Sequence, residues 1–170
     1  GASKLAGEGY CSAYFHSFGL STTALRFGNV YGPLSSRKSS IVAKFIRQAL
    51  SGQTFEIYGD GSATRDYIFI DDLARAITLA ASSENAGGET FQIATSRETT
   101  VAEITEHLID ILEKKGISGV KVHNGETRKG DMQRNYSDTS KARAVLGWTA
   151  DVSLREGLER TVDWYLTQKH

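Results

Sequence analysis

Cysteine and proline each occur only once in this 170-residue sequence, as Cys11 and Pro33. Because Cys11 has no second cysteine to pair with, no disulfide can form within the chain, and the composition does not suggest secretion. Cys11 lies in a helix-like stretch with Tyr10, Ala13 and Tyr14 around it. We therefore expect it to be a small buried apolar side chain rather than a nucleophile.

Net charge and long apolar runs are absent as well. Lys and Arg total 20, and Asp and Glu also total 20. This balance argues against a general surface for nucleic acids or acidic membranes, although it leaves room for a local basic pocket. Since no apolar run is long enough to span a membrane, we expect a cytoplasmic protein whose partners include neither nucleic acid nor membrane.

Metal-ligand spacings and several catalytic signatures are missing too. The four histidines are not spaced like zinc ligands, either among themselves or relative to Cys11, so we expect no metal site. No Ser-His-Asp set, Walker loop or dinucleotide fingerprint occurs in the sequence. Gly59-Asp60-Gly61 lacks a third glycine and precedes a predicted strand, so it is interpreted as a turn.

Helix and strand patterns alternate along the whole chain. Apolar spacing predicts helices over 2–18, 41–50 and 73–81, through 142–146, and from 101 and 154 onward. Strands are predicted over 22–27, 55–58, 66–70, 90–94 and 120–123. Helix caps are expected at Ser39 or Ser40, at Asp71 or Asp72, and in two capping boxes, Thr100 with Glu103 and Ser153 with Glu156. The alternation predicts an α/β fold, and the small number of strands predicts only part of a parallel sheet.

Lys4 and Asn29 are candidate site residues, each with a structural alternative. Lys4 lies on the same helix face as the position that would precede Gly1, where a lysine can lower the pKa of a phenol and hold a ribose hydroxyl. Taken alone, Lys4 also fits an exposed helix lysine. Asn29 follows a strand, where ligands of parallel sheets gather; its amide could bind phosphate or a sugar hydroxyl, or satisfy its own turn.

Arg65, Arg128 and Asp131 lie in predicted loops or at a strand start. Two guanidinium groups match the oxygens of a diphosphate, and Asp131 could accept hydrogen bonds from ribose hydroxyls. The alternative for each arginine is a solvated or ion-paired surface residue.

Four stretches in the same order carry a family resemblance over nearly the whole chain: GASKLAGE, LRFGNVYGP, IYGDGSATRDYIFIDDLARA and ETRKGDMQRNYSDTSKARAVLGW. Together they resemble the C-terminal half of the nucleotide-sugar epimerases and dehydratases. These are extended short-chain dehydrogenase/reductases that use NAD, with UDP-glucose 4-epimerase as the best-known member.

The resemblance implies a role for each candidate residue. It makes Lys4 the catalytic lysine that also holds the nicotinamide ribose of NAD, and Asn29 a contact of the substrate phosphates, with Val30 and Tyr31 at the same entrance. Strand residues Glu56 and Tyr58 would meet the nucleotide base through their backbone. Arg65 and Arg128 would bind the diphosphate and Asp131 the nucleotide ribose, while a short Asn135 would admit N-acetyl sugars.

The resemblance also implies a domain organisation. It predicts a single α/β unit over 1–170, in which 1–30 and 88–115 belong to a Rossmann-like domain and 31–87 and 116–170 to a small substrate-binding domain. The N-terminal dinucleotide-binding half, with its glycine-rich fingerprint, would be absent. The family's catalytic tyrosine would fall immediately before Gly1.

We therefore expect the C-terminal, substrate-binding portion of a nucleotide-sugar 4-epimerase, inactive by itself and without bound NAD. The alternatives are a portion of a 4,6-dehydratase and a non-catalytic nucleotide-sugar binding module. The expected ligand is a UDP-sugar. The expected assembly is a homo-oligomer that contacts its partner through Leu5, Tyr10 and Tyr14.

Overall fold

The computed structural model describes residues 1–127 and 130–168, and these form alternating helices and strands. The helices are α1 (Ala2–Phe18), α2 (Ile41–Leu50), α3 (Ile70–Ser82), α4 (Val101–Lys114), α5 (Ser140–Leu146) and α6 (Leu154–Thr167). The strands are β1 (Ala24–Phe27), β2 (Asn29–Tyr31), β3 (Phe55–Tyr58), β4 (Thr64–Arg65), β5 (Tyr67–Phe69), β6 (Thr90–Ile93), β7 (Thr99–Thr100) and β8 (Val122–Gly125). The expected α/β fold is confirmed.

The strands of the described residues pair two by two. β1 pairs with β6, β2 with β5 and β3 with β8, all in parallel, and β4 pairs with β7 in antiparallel. The strand predicted over 66–70 is β5, which is shorter because Ile70 already begins α3; the separate short strand β4 precedes it, with Asp66 at the break between the two. Asn29 lies opposite Tyr67 in the β2–β5 register, so the carboxyl end of β1 and this break lie side by side.

Three of the four predicted helix caps are at the expected residues. The Thr100 and Ser153 side chains accept hydrogen bonds from the backbone N–H of Glu103 and Glu156, as the capping boxes predict. Ser40 is the N-cap residue of α2, although its side chain makes no capping hydrogen bond.

The predicted cap of α3 at Asp71 or Asp72 is wrong. The helix begins at Ile70 with Phe69 as its N-cap residue, so both acids lie in the first turn. There a negative charge is still favoured by the helix dipole. Asp72 is buried, and its carboxylate accepts hydrogen bonds from the backbone N–H groups of Asp151 and Val152 and from the Arg75 side chain, but from no backbone N–H of its own helix.

Two clusters of buried side chains form the core. In the larger one, α2, α4 and α6 pack together beside β3, and the rings of Phe45 and Phe55 stack at 4.4 Å between centroids. In the smaller one, Trp148 is enclosed with side chains of β6, α3 and α5, and its indole N–H donates to the backbone carbonyl of Asp72. These clusters include the apolar stripes predicted for α2 and α4.

Helix α1 differs from the others because none of its residues is buried. Its attachments are a Glu8–Arg26 ion pair, a hydrogen bond from the Thr22 hydroxyl to the backbone carbonyl of Cys11, and contact of the Phe15 ring with the Gly87-Gly88 turn. The expectation of a buried Cys11 is therefore wrong: the side chain is half-buried, because α1 is covered along one narrow strip only. No helix among the described residues is both long and apolar enough to cross a membrane.

Candidate functional site

A cavity of about 1050 Å³ lies between α1, the start of α2 and the carboxyl ends of β1 and β3. Eight of the residues singled out in the sequence line it: Lys4, Asn29, Val30, Tyr31, Glu56, Tyr58, Arg65 and Asp131. Arg128 lies outside the described residues. Asn135 is not among the residues that line the cavity. Side chains that the sequence spreads over about 130 positions therefore share one concave surface.

One wall of the cavity is the covered strip of α1. Lys4, Glu8 and Cys11 follow each other at spacings of four and three residues and so share this face. The Glu8 carboxylate receives two hydrogen bonds from Arg26 of β1, at 2.7 and 2.5 Å. These bonds hold the pKa of Glu8 below its ordinary value. Lys4 takes part in none of the ion pairs formed among the described residues, so its ammonium is available to a ligand.

The second wall is formed where β1 passes into β2. The Asn29 backbone N–H donates to the carbonyl of Asp66 at 2.7 Å, which holds this turn against β5. A Cβ atom at Gly28 would lie 2.6 Å from the same carbonyl, so this approach requires glycine. Tyr31 is buried, and its hydroxyl donates to the backbone carbonyl of Leu154. Burial, reinforced by the charges of Asp72 and Glu156, raises the pKa of Tyr31 above its ordinary value.

Arg65 and Asp131 are 66 residues apart in the chain and form an ion pair at the cavity, with 2.7 Å between Nη2 and Oδ1. Nη1 of Arg65 donates to the backbone carbonyls of Thr64 and Met132, at 2.7 and 2.5 Å. These contacts fix the guanidinium plane, and among the described residues they leave Nε and part of Nη2 without a partner. The arrangement presents a cation and a carboxylate side by side, as binding a phosphate next to a ribose requires.

Lys44 was not singled out in the sequence, because it lies off the apolar stripe of α2 and resembles a solvated helix lysine. In the structure its ammonium is 3.6 Å from Oε2 of Glu56 and lies 5.3 Å from the centre of the Tyr58 ring. The Tyr58 hydroxyl donates to the same carboxylate oxygen at 3.1 Å. The signal available in the sequence was its position one turn after the Ser40 cap, at the end of the helix that faces the cavity.

The cavity carries an excess of positive charge. Five cationic side chains line it (Lys4, Arg26, Lys38, Lys44 and Arg65), against three acidic ones (Glu8, Glu56 and Asp131). Each acid pairs with one cation, which leaves Lys4 and Lys38 outside these pairs. A surface of this kind favours an anionic ligand.

Asn135 lies on the segment that follows Asp131. Its side-chain amide donates to the Met132 sulfur at 3.2 Å, and its backbone N–H donates to the Thr64 hydroxyl at 3.4 Å. The residue is thereby anchored beside Arg65.

Across residues 1–127 and 130–168, no three His, Cys, Asp or Glu side chains converge in a way that could hold a metal ion.

Residues 1–94 match the model of the NAD dependent epimerase/dehydratase family. Among curated proteins, the chain is similar to UDP-glucose 4-epimerase of Mycolicibacterium smegmatis, with 35% identity over 171 residues. The aligned region covers 96% of this chain and 51% of that protein.

Two solved structures have a similar fold. UDP-glucose 4-epimerase of Thermotoga maritima, solved with UDP-glucose, is 37% identical with a TM-score of 0.88, over 98% of this chain and 52% of that one. UDP-glucuronic acid 4-epimerase of Bacillus cereus, solved with UDP-glucuronic acid and NAD, is 30% identical with a TM-score of 0.83, over 96% of this chain and 51% of that one. The chain thus spans about half the length of these relatives.

Proposed function

We propose, since this chain belongs to the NAD-dependent epimerase/dehydratase family, that its described residues form the nucleotide-sugar-binding part of a UDP-sugar 4-epimerase. The observation that carries this proposal is the shared cavity, which joins Lys4 of α1 to Asn29, Arg65 and Asp131. The UDP-sugars in the Thermotoga maritima and Bacillus cereus structures support the choice of ligand class.

Each part of a UDP-sugar then has a matching group. The guanidinium of Arg65 and the amide of Asn29 bind diphosphate oxygens, and Arg128 is proposed to add a second guanidinium. Asp131 accepts hydrogen bonds from the ribose hydroxyls, and the backbone of Glu56 and Tyr58 contacts the base. Asn135 is proposed to leave room for a bulky substituent at C2 of the sugar.

Lys4 is proposed to serve the hydride chemistry. Its ammonium faces the cavity and has no ion-pair partner among the residues that the structure describes, which fits a group that holds ribose hydroxyls. Hydride transfer at C4 of the sugar is the chemistry that NAD would supply if it were bound. The same ammonium lowers the pKa of a phenol on its helix face, and that phenol takes the proton from the 4-hydroxyl. The resemblance assigns this role to a tyrosine four residues before Lys4.

The 170-residue polypeptide alone is therefore proposed to bind substrate without converting it. Its division into a Rossmann-like part, 1–30 with 88–115, and a substrate-binding part, 31–87 with 116–170, belongs to the same proposal. A polypeptide that epimerises UDP-sugars, or that is purified with one equivalent of NAD, would overturn the claim of inactivity and leave the binding site in place.

Titration with UDP, followed by calorimetry, tests the binding site. We expect measurable heat from the wild-type polypeptide and none from Arg65→Ala. Arg97→Ala is the matched control, because Arg97 pairs with Glu103 on the surface and does not line the cavity; it should bind as the wild type does. Uridine should bind far more weakly than UDP, since it lacks the diphosphate. Equal binding by Arg65→Ala and the wild type would contradict the assignment.

A further inference from the structure

Asp66 is a fully buried carboxylate at the break between β4 and β5, with 0% of its surface exposed. Its Oδ1 accepts hydrogen bonds from the Thr95 backbone N–H at 2.8 Å and from the Thr95 hydroxyl at 2.6 Å. Its Oδ2 accepts from the Ser137 backbone N–H at 3.3 Å. Asp66 takes part in none of the ion pairs formed among the described residues, so these three bonds are what compensate its burial.

Two of the segments that Asp66 contacts line the cavity. Ser137 lies on the segment that carries Asp131, and the backbone carbonyl of Asp66 accepts the N–H of Asn29. Its third partner, Thr95, follows β6, which does not line the cavity. Arg65 and Tyr67, the neighbours of Asp66 in the chain, line the cavity, whereas Asp66 does not. One residue outside the cavity thus joins two of its lining segments to the end of β6.

We infer that Asp66 is a positioning residue of the site: its buried carboxylate holds the segment 131–137 against the end of β6, so that Asp131 faces the cavity beside Arg65. This inference rests on the proposed function for its effect on ligand binding. Asp66 touches neither Arg65 nor Asp131 through its side chain; it acts through the Ser137 and Thr95 anchors. The other contacts of the segment lie on the Asp131 side of Ser137. They are the backbone bond from Thr64 to Gln133, the contacts of Arg65, the Arg134–Glu98 ion pair and the bond from the Asn135 N–H to the Thr64 hydroxyl.

A carboxylate is required here because donors approach both of its oxygens. In Asp66→Asn, one oxygen still accepts from Thr95, but the amide NH₂ faces the Ser137 N–H, and two donors cannot bond to each other. The anchor on the 131–137 segment is then lost, while the side-chain volume is nearly unchanged.

Asp72 provides a matched control. It is also buried, at 2% exposure, and one of its oxygens accepts two hydrogen bonds, from Arg75 and the Asp151 N–H, while the other accepts one, from Val152 N–H. It therefore anchors a late segment of the chain through backbone N–H donors, as Asp66 does, and pairs in addition with Arg75. Asp72 does not line the cavity, and the segment that it anchors, 151–152, does not either.

The experiment compares Asp66→Asn and Asp72→Asn in the 170-residue polypeptide by thermal unfolding, UDP titration and amide NMR spectra. Both variants should lower the unfolding temperature, since each loses a buried charged acceptor. Only Asp66→Asn should weaken UDP binding, by about tenfold, the effect of losing one hydrogen bond to a charged group. Only Asp66→Asn should shift the amide resonances of Asp131 and Asn135. Thr95→Val, which removes a single hydroxyl, should have a smaller effect in the same direction and stands in if Asp66→Asn does not fold.

The outcomes separate this inference from the proposed function. UDP affinity within twofold of wild type in the Asp66 variant, or an equal loss in Asp72→Asn, overturns the positioning role. A wild-type polypeptide that does not bind UDP overturns the binding proposal, and the amide spectra then decide the inference alone. Resonances of Asp131 and Asn135 that move in Asp66→Asn but not in Asp72→Asn support it; unmoved resonances overturn it.

Discussion

Helices α1 and α4 have similar lengths, 17 and 14 residues, and opposite environments. Helix α4 buries an apolar stripe between α2 and α6, and its buried residues are Ile104, Thr105, Leu108, Ile111 and Leu112. Helix α1 buries no residue and exposes the large side chains of Leu5, Tyr10, Tyr14 and Phe18. The two helices have comparable apolar content, but the apolar residues of α4 lie on one covered face, whereas those of α1 are spread around the helix.

The contacts that hold the two helices differ in kind. α4 is held by dispersion and by apolar burial, which scale with contact area. α1 is held by a few polar contacts and one ring, at Glu8, Cys11 and Phe15. We therefore expect α4 to unfold only with the whole domain and α1 to open locally at a lower free energy. Because α1 also forms the Lys4 wall of the cavity, the less stable region carries part of the proposed site.

Truncation of one leucine in each helix should show the largest contrast. Leu108→Ala removes a side chain with 0% exposure and should lower the free energy of unfolding by about 2–5 kcal/mol. Leu5→Ala removes a side chain with 67% exposure and should change it by less than about 0.5 kcal/mol. Urea unfolding of both variants, at protein concentrations at which the polypeptide is monomeric, measures the contrast. Similar losses in the two variants would mean that Leu5 is covered within the monomer.

The free energy of unfolding should also depend on pH at alkaline values, because the buried region contains Tyr67. Burial raises the pKa of Tyr67 to about 12, above the value near 10 of an unfolded tyrosine. The unfolded chain therefore loses its proton first, so this stability is fully present below pH 10 and is lost as the pH rises toward 12. The free energy of unfolding should fall by about 1 kcal/mol per pH unit in that window.

The Phe variant isolates this effect. Tyr67→Phe should flatten the decline between pH 10 and 12, and its stability at pH 8 gives the reference, because Tyr67 is protonated there in both states. Burial also raises the pKa of Tyr31, so part of the decline remains in the variant. An unchanged slope would show that the Tyr67 hydroxyl reaches solvent in the folded protein.

Local sequence patterns were sufficient to predict most of the helices and strands, but not what surrounds each of them in the fold. The Thr100 cap and the stripe of α4 could be predicted because both depend on residues within a few positions. The extent to which Cys11 is buried could not be predicted, because the helical period shows which residues share a face and not whether a neighbouring element covers that face. Likewise, Asp72 could be taken for a cap because its partners, Asp151 and Val152, lie about 80 residues away in the chain.

The residues of the site also differ in whether the sequence alone could suggest them. Asn29 could be suggested from the rule that ligands gather at the carboxyl ends of parallel strands, and Lys4 could be suggested from helical spacing. The Arg65–Asp131 pair and the place of Lys44 over Tyr58 require the folded chain. Asp66 was not singled out at all, because a carboxylate between two strand residues has no local signature of burial.

The exposed face of α1 predicts self-association, as the sequence also suggested. Apolar patches of this kind are usually covered by a partner. Tyr10→Ser should weaken the dimer by about tenfold, or about 1.4 kcal/mol, in sedimentation equilibrium. Leu34→Ser is the matched control, because Leu34 is 85% exposed but lies outside α1, and it should leave association unchanged. A wild-type polypeptide that sediments as a monomer at all concentrations would contradict this prediction.

The smallest effect is expected from two partly exposed ion pairs, each of which joins an arginine outside a helix to a glutamate on it. Arg26 pairs with Glu8 of α1, and Arg97 pairs with Glu103 of α4, at 2.5 and 2.7 Å. Neither Arg26→Ala nor Arg97→Ala should change the thermal midpoint measurably, since exposed pairs contribute little to global stability. Amide hydrogen exchange should nevertheless become faster in α1 when Arg26 is removed, whereas exchange in α4 should stay the same without Arg97, because the core still holds that helix.

The pH dependence of that exchange gives the sign of the Glu8 contribution. Hydrogen bonding from Arg26 lowers the pKa of Glu8 from its ordinary value of 4.5. The pair therefore stabilises the attachment of α1 above pH 4.5 and is lost as the pH falls through the lowered value. Protection of α1, corrected for intrinsic exchange, should decline in that acid range in the wild type and stay flat in Arg26→Ala. Protection that stays flat with pH in both proteins would assign the attachment to Phe15 and Thr22 instead, because neither side chain titrates in this range.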